Sequence, residues 1–286
     1  MTQQYQDILS NASIEIGPED QRRADRYYGI AMTLKAMDVV VLMTFPIVFC
    51  MYFSRWNSFY EKIMWLPYWT MFLLCFFYLL NKRLYFRKIR SFLLMDCDPV
   101  RMLSCIMALI SHSNRKKGRN WGLHFYNVCT CLYYAGRFED VHRILQLFPK
   151  YCPAEADRLK YELLCARLAY HEKDEKALYM HCNYLNSWAG RLKKRNLFYG
   201  IYQETMQLPM LLKMEKDGAW QQAYGMLRQA DVAVGQSGRR SMLSKVKANF
   251  LLYRMAKGMG DEQCAAYHRE FVRQNGGSLW YRRDVG

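Results

Sequence analysis

Two apolar runs, Ala36 to Ser54 and Ile63 to Leu80, stand close together near the N-terminus of a 286-residue chain that is otherwise polar. They hold 19 and 18 residues, which as helices reach about 27 to 29 Å, close to the ~30 Å hydrocarbon thickness of a bilayer. The expectation is a two-helix transmembrane hairpin over residues 36–81, with spans 36–54 and 63–80. Residues 1–35 form a segment before it, 82–118 a basic juxtamembrane stretch with a first helical segment, and 119–286 a helical domain. A buried core helix is the weaker reading, because core helices rarely run 18 residues with so few charges. A cleaved signal peptide fits worse, since acids and bases precede the first run and Arg55-Trp56 follows it in place of small residues.

Charge sets the expected orientation. Lys82, Arg83, Arg87, Lys88 and Arg90 follow the second run, whereas the intervening turn offers Arg55 and Lys62. Bases are retained on the cytoplasmic side, so both termini are expected in the cytoplasm, with a bacterial inner membrane as the location. Trp56, Tyr60, Trp65, Tyr68 and Trp69 sit at the turn end, as amphipathic rings do at a water–lipid boundary. The ten cysteines then fall within the spans or on the reducing side, where free thiols acting as small hydrophobes are expected. No C-x-x-C occurs, and Cys129-x-Cys131 is too tight for a zinc site.

Beyond Lys82 the sequence reads as all helix. Asp98-Pro99 is an N-cap acid followed by a first-turn proline, and Val100, Leu103, Ile106, Met107 and Ile110 then mark one face. Phe125, Val128, Cys129 and Leu132 recur at three- and four-residue steps. Gly136 interrupts, and Phe138, Val141, Leu145 and Phe148 resume the period. This pattern predicts a helical hairpin.

The hairpin resembles a tetratricopeptide repeat. Trp121 or Phe125 stands for the first large residue, Asn127-Val128 for the following pair, Leu132 for the later aromatic, Gly136-Arg137-Phe138 for the turn, and Pro153 for the closing proline. Cys129 and Val141 depart from the small residues of the pattern. Tyr161, Leu164, Cys165 and Leu168 lead into a second, glycine-less turn at Glu172 to Leu178. Lys216-Asp217-Gly218-Ala219-Trp220 with Ala223, Leu227 and Ala230 makes a third unit, and Leu252, Ala256, Gly260-Asp261, Ala265 and Val272 a weaker fourth. The turns are about 37, 45 and 42 residues apart, looser than the family's period of 34. The resemblance implies an all-α fold in which a tetratricopeptide-like α-solenoid follows the hairpin. A non-repeating helical bundle is the alternative.

A solenoid of this kind presents a groove lined by its first helices. The candidate partner-groove residues are Tyr126, Tyr133, Arg167, Tyr170, Tyr202, Gln203, Tyr253 and Arg254, of types favoured at recognition surfaces. The net charge is +16, and the first 81 residues hold six bases against seven acids, so the excess belongs to the rest. Arg87, Lys88, Arg90, Lys116, Lys117 and Arg119 are the candidate membrane-surface residues, with anionic lipid headgroups as the expected counter-surface. Nucleic acid is disfavoured as a partner because no recognition motif accompanies the charge.

No nucleotide loop, zinc-protease or nucleophile-elbow motif occurs, and the six histidines are dispersed. No catalytic residue, cofactor or metal ligand is expected. The sequence therefore reads as a membrane-anchored cytoplasmic adaptor that binds a protein or peptide through a helical-repeat groove. The alternatives are an accessory subunit of an integral-membrane enzyme or transporter, and a basic helical nucleic-acid binder.

Overall fold

A computed structural model describes the backbone of residues 3–52, 66–113, 121–188, 190–192, 198–235 and 241–286, and their side chains except at 3–5, 38, 42–52, 66–68, 112–113 and 231–235. Among the described residues the chain is all-α and divides into two compact units, one of Met1–Glu15 with Ser91–Gly286, the other Ile16–Arg90.

The smaller unit holds α2 (Pro18–Tyr52) and most of α3 (Leu66–Leu94). Tyr27 of α2 stacks on Tyr85 of α3 at 4.3 Å, and Lys35 lies 5.2 Å from the centre of the Tyr78 ring. Phe72, Phe76, Phe77 and Leu79 of α3 are exposed.

The transmembrane hairpin is not found: among the described residues no helix is long and apolar enough to cross a membrane. Within α3 the apolar stretch meets Asn81-Lys82-Arg83 inside the same helix. Residues 63–65 of the expected second span lie outside the described residues. In α2 the first nine residues carry Glu19, Asp20, Arg22, Arg23, Asp25 and Arg26, and most of the first run's side chains lie outside the described residues. The cytoplasmic orientation of the termini, the inner-membrane location, the membrane anchoring of the adaptor, the integral-membrane partner and the lipid-headgroup contact all rested on those spans and fall with them. Arg87, Lys88 and Arg90 are exposed on α3, but no bilayer is fixed for them to face. Lys116, Lys117 and Arg119 lie outside the described residues.

The larger unit is a chain of helical hairpins: α5 (Trp121–Tyr134) with α6 (Phe138–Tyr151), α7 (Glu155–Glu172) with α8 (Glu175–Asn186), α10 (Leu208–Lys216) with α11 (Trp220–Gly235), and α12 (Met242–Met259) with α13 (Glu262–Asn275). Their turns share one device. Gly136, Lys173, Gly218 and Gly260 have φ of 74°, 60°, 70° and 74°, the left-handed region that reverses the chain and lets the last carbonyls be met. Arg137, Asp174, Ala219 and Asp261 each donate a backbone N–H to the carbonyl five residues back, at 2.9 to 3.0 Å. Side chains then open the next helix, Asp174 accepting from the Ala177 N–H at 3.0 Å and Asp261 from the Cys264 N–H at 2.9 Å.

Between the second and third hairpins the chain forms α9 (Tyr199–Met206), and a break at Gln207 separates it from α10. Pro209 sits in the first turn of α10, the position where a missing N–H costs nothing but where a helix running on from α9 would lose a bond.

The core runs along the hairpin interfaces. Phe125, Cys129, Leu132, Ile144, Leu163, Leu178, Leu185 and Ala223 are fully buried. The N-terminal helix α1 (Gln3–Asn11) belongs to this unit: Ile8 and Ala12 are fully buried, the Ala12 carbonyl accepts from Arg137 at 2.6 Å, and the Tyr151 hydroxyl bonds Asp7. Helix α4 (Pro99–Ser113) packs on α5, with Met107 and Ala108 fully buried.

The last helix closes the array. After α13, Gly277 turns the chain with φ 52°, and Ser278 donates its N–H to the Cys97 carbonyl at 3.1 Å and its hydroxyl to Asp98 at 3.0 Å. Helix α14 (Trp280–Asp284) then stacks Tyr281 on Phe250 of α12 at 4.5 Å and sets it edge-on to Tyr134 of α5 at 6.1 Å. Arg283 donates to the Ala135 carbonyl. An open solenoid keeps its two ends apart; here the last helix sits on the first hairpin.

Candidate functional site

Closing the array leaves a small recess with a cavity volume of about 40 Å³, bounded by α5, α7, α9, α10, α12 and α14. Its wall is aromatic and charged. Tyr133 and Tyr134 come from α5, Arg167, Tyr170 and His171 from α7, Glu204 from α9, Lys247 and Arg254 from α12, and Trp280 and Tyr281 from α14. The spacing explains why α7 contributes so much: residues 167, 170 and 171 lie three and four apart on one helical face.

Two carboxylates organise the recess. Arg254 donates to Glu215 Oε2 at 2.6 Å, and the Tyr170 hydroxyl donates to Oε1 of the same carboxylate at 2.7 Å. Lys247 donates to Glu204 Oε2 at 2.6 Å. Arg167 approaches that same oxygen only to 3.7 Å, beyond hydrogen-bonding reach. The Arg167 side chain is nine-tenths buried and at that distance forms an ion pair with Glu204. Among the described residues the Trp280 indole N–H is buried without a hydrogen-bond partner.

Burial pushes the phenols of Tyr133 and Tyr170 well above their ordinary range, so both stay neutral hydroxyls at physiological pH. Burial also lowers His171, although Glu172 opposes the shift. The imidazole stacks on Phe138 at 3.7 Å and meets Trp280 edge-on at 4.8 Å, surroundings that favour the uncharged ring.

Of the residues expected to line a groove, the structure brings Tyr133, Arg167, Tyr170 and Arg254 to this recess. Tyr126 lies beneath it, buried and edge-on to Phe198 at 5.1 Å. Tyr202 packs at the margin of the core between α8 and α10, Gln203 is exposed and bonds the Tyr199 hydroxyl at 3.1 Å, and Tyr253 is buried away from the recess. The sequence reading missed Glu204, Lys247, Phe250, Trp280 and Tyr281. The signal for the last two was present: Gly276-Gly277 followed by Trp-Tyr-Arg-Arg marks a chain that turns and then offers large rings to a surface.

Outside the recess, His142 pairs with Glu172 and His181 Nδ1 pairs with Glu162 at 2.6 Å. His268 bonds Asn249 at 2.8 Å and the Tyr224 hydroxyl at 3.1 Å. Among the described residues no three His, Cys, Asp or Glu side chains converge on a metal-sized point.

Compared with family models, with curated proteins and with solved structures, the chain has no match. The tetratricopeptide resemblance is corrected accordingly and does not extend to membership of that family. Its motif residues answer to a broader requirement. A left-handed residue is needed wherever two helices reverse tightly, and a small residue wherever they touch, and any packed helical hairpin selects both.

Proposed function

We propose that the larger unit is a recognition domain that binds a partner peptide at the recess enclosed by its helical hairpins, and that it works by binding and not by catalysis. The observation that carries this reading is the convergence of Tyr133, Arg167, Tyr170, Arg254 and Trp280 from separate helices on one cavity. Tyrosine, tryptophan and arginine dominate binding energy at protein interfaces because they bury large rigid areas while keeping a polar tip. Rings held by their own packing lose little freedom on binding. His171 stacks on Phe138 and Trp280 meets Phe250 edge-on, so the wall is organised before any ligand arrives.

The test is selection from a random peptide library on the whole chain, followed by affinity measurement on two variants. Leu251 lines the recess, and Leu251→Trp fills part of it; Tyr267 is 70% exposed on α13, and Tyr267→Ala alters only the outer surface. Selected peptides are expected to lose roughly tenfold or more in affinity on Leu251→Trp and to ignore Tyr267→Ala. Binders insensitive to Leu251→Trp place recognition elsewhere.

A further inference from the structure

Within the smaller unit, α3 carries two apolar seams and α2 covers one of them. The covered seam is Leu74, Tyr78, Asn81, Tyr85 and Ile89, spaced four, three, four and four residues apart. Leu74 and Ile89 are buried, Tyr85 stacks on Tyr27 of α2, and Tyr78 meets Lys35 of α2. The second seam is Trp69, Leu73, Phe76, Leu80 and Leu84, with the same four, three, four, four spacing. At 3.6 residues per turn it lies roughly 140° round the helix from the first. All five of its side chains are exposed, and so are Phe72 and Phe77 on its flanks.

The size of this surface shows what it requires. The seven side chains are 37% to 61% exposed. At ~200 Å² for a whole large side chain, about half exposed, they present roughly 700 Å² of apolar area. The largest apolar patch of an ordinary monomer is about 300 to 600 Å², whereas each side of a stable protein pair buries about 600 to 1,000 Å². A helix with two apolar seams needs two neighbours, and α2 is one.

The spacing and the charge select the other neighbour. Two α3 helices laid antiparallel about Phe76 set Leu73 against Leu80 and Trp69 against Leu84, and each contact recurs in reverse. That reciprocity is the requirement of a two-fold interface between identical chains. Helix α3 also carries Lys82, Arg83, Arg87, Lys88 and Arg90 with no acid. Parallel copies would set five bases beside five, whereas antiparallel copies place them at opposite ends.

We propose that α3 is the interface between two copies of this chain, which pair antiparallel through Trp69, Leu73, Phe76, Leu80 and Leu84. The proposal is independent of the recognition reading, which concerns the larger unit alone.

The test uses the full chain in aqueous buffer at micromolar concentration. Sedimentation equilibrium is expected to give twice the chain mass of 34.1 kDa. Leu73→Glu together with Leu80→Glu should weaken the pairing by roughly a hundredfold or more, because four carboxylates then meet in an apolar contact. Both residues are exposed in the single chain, so helicity should be unchanged. Tyr267→Ala, on α13 of the larger unit, should leave the mass at two chains.

Cross-linking reads the direction of pairing. Cys75 is exposed on α3 and is replaced by serine for this purpose. A short bifunctional thiol reagent should then link Phe76→Cys to its own copy. Trp69→Cys and Leu84→Cys should each link poorly alone and well when the two variants are mixed. Linking of Trp69→Cys to itself as readily as to Leu84→Cys overturns the antiparallel pairing. A single-chain mass, or a larger mass that the double glutamate variant leaves intact, overturns the interface itself. A chain that stays dispersed only with bound detergent or lipid assigns the face to lipid and overturns the proposal equally.

Discussion

Glu215 of α10 ties three hairpins together through one carboxylate: Arg254 of α12 donates to Oε2 at 2.6 Å and Tyr170 of α7 donates to Oε1 at 2.7 Å. The carboxylate is buried and the Arg254 side chain about one quarter exposed, so water cannot readily replace either bond. The same bonds hold Arg254 and Tyr170 in the recess wall.

Glu215→Gln keeps the shape and removes the charge, leaving Arg254 without its anion. Hydrogen bonds to charged groups contribute about 1.5 to 3 kcal/mol, and a destabilisation of that size is expected in urea unfolding. Tyr170→Phe, which leaves the ion pair intact, should cost about 1 kcal/mol. A change below about 0.5 kcal/mol for Glu215→Gln would show that solvent compensates the pair.

The four reversals differ in one respect that can be measured. Lys173 adopts φ 60° with a Cβ, whereas Gly136, Gly218 and Gly260 occupy the same region without one. Lys173→Gly should therefore stabilise by about 0.5 to 1 kcal/mol. Gly260→Ala, whose new methyl meets open space, should lose about 1 kcal/mol from backbone strain alone. Gly136→Ala should lose more, because its Cβ would sit 2.7 Å from the Trp280 Cβ. Equal losses at 136 and 260 would argue that α14 moves away freely.

Ala223 is fully buried in the core shared by α7, α8, α10 and α11. Ala223→Arg forces a long side chain and an unpaired charge into that contact. Overpacking alone costs about 1 to 3 kcal/mol, and the charge adds to it, so melting of the whole chain should fall by many degrees or lose cooperativity. An unchanged melting curve would show that α11 does not pack as described.

Acid should weaken the fold through His171 and His124, both lowered below the ordinary value of 6.5 by burial. The unfolded chain takes up the protons first. Stability is therefore level above about pH 6.5 and falls as pH drops below it. His171→Phe should flatten part of that slope between pH 7 and 5 in urea midpoints, while packing on Phe138 and Trp280 is kept. A slope identical to the parent's would mean that His171 takes its proton in the fold without penalty.

Thiol reactivity should follow burial. Cys129 and Cys131 are fully buried with thiols pushed far above their ordinary range, and Cys152 is pushed up to about 12. Cys75 is exposed. Alkylation of the native chain at pH 8, read by peptide mass spectrometry, should label Cys75 first and reach Cys129 and Cys131 only when denaturant opens the core. Early labelling of Cys129 would show that the first hairpin opens on its own.

Much of the fold is legible in local signals. Asp98-Pro99 opens α4, the three- and four-residue steps from Phe125 to Phe148 mark the buried faces of α5 and α6, and the turn positions near 136, 173, 218 and 260 are those where the chain reverses. Such signals are readable because helical periodicity and left-handed turn geometry are decided within a few residues. The apolar runs misled for a related reason. Hydropathy counts residues, but a span also needs an unbroken apolar helix, and α3 runs straight on into Asn81-Lys82-Arg83.

Sequence by itself determined the helical class, the places where the chain reverses and the residues that each hairpin buries. Only the tertiary structure decided that Trp280 and Tyr281 return to the first hairpin, where Arg283 meets the Ala135 carbonyl across a separation of 148 residues, and so turned a row of hairpins into the wall of a recess. It alone showed that Lys247 and Arg167 share one Glu204 oxygen, Lys247 hydrogen-bonded at 2.6 Å and Arg167 ion-paired at 3.7 Å. Local pattern fixes the face on which a charged side chain stands. Which of several cations obtains the available carboxylate depends on distances of about an ångström between helices far apart in sequence, and those are set only when the whole core has packed.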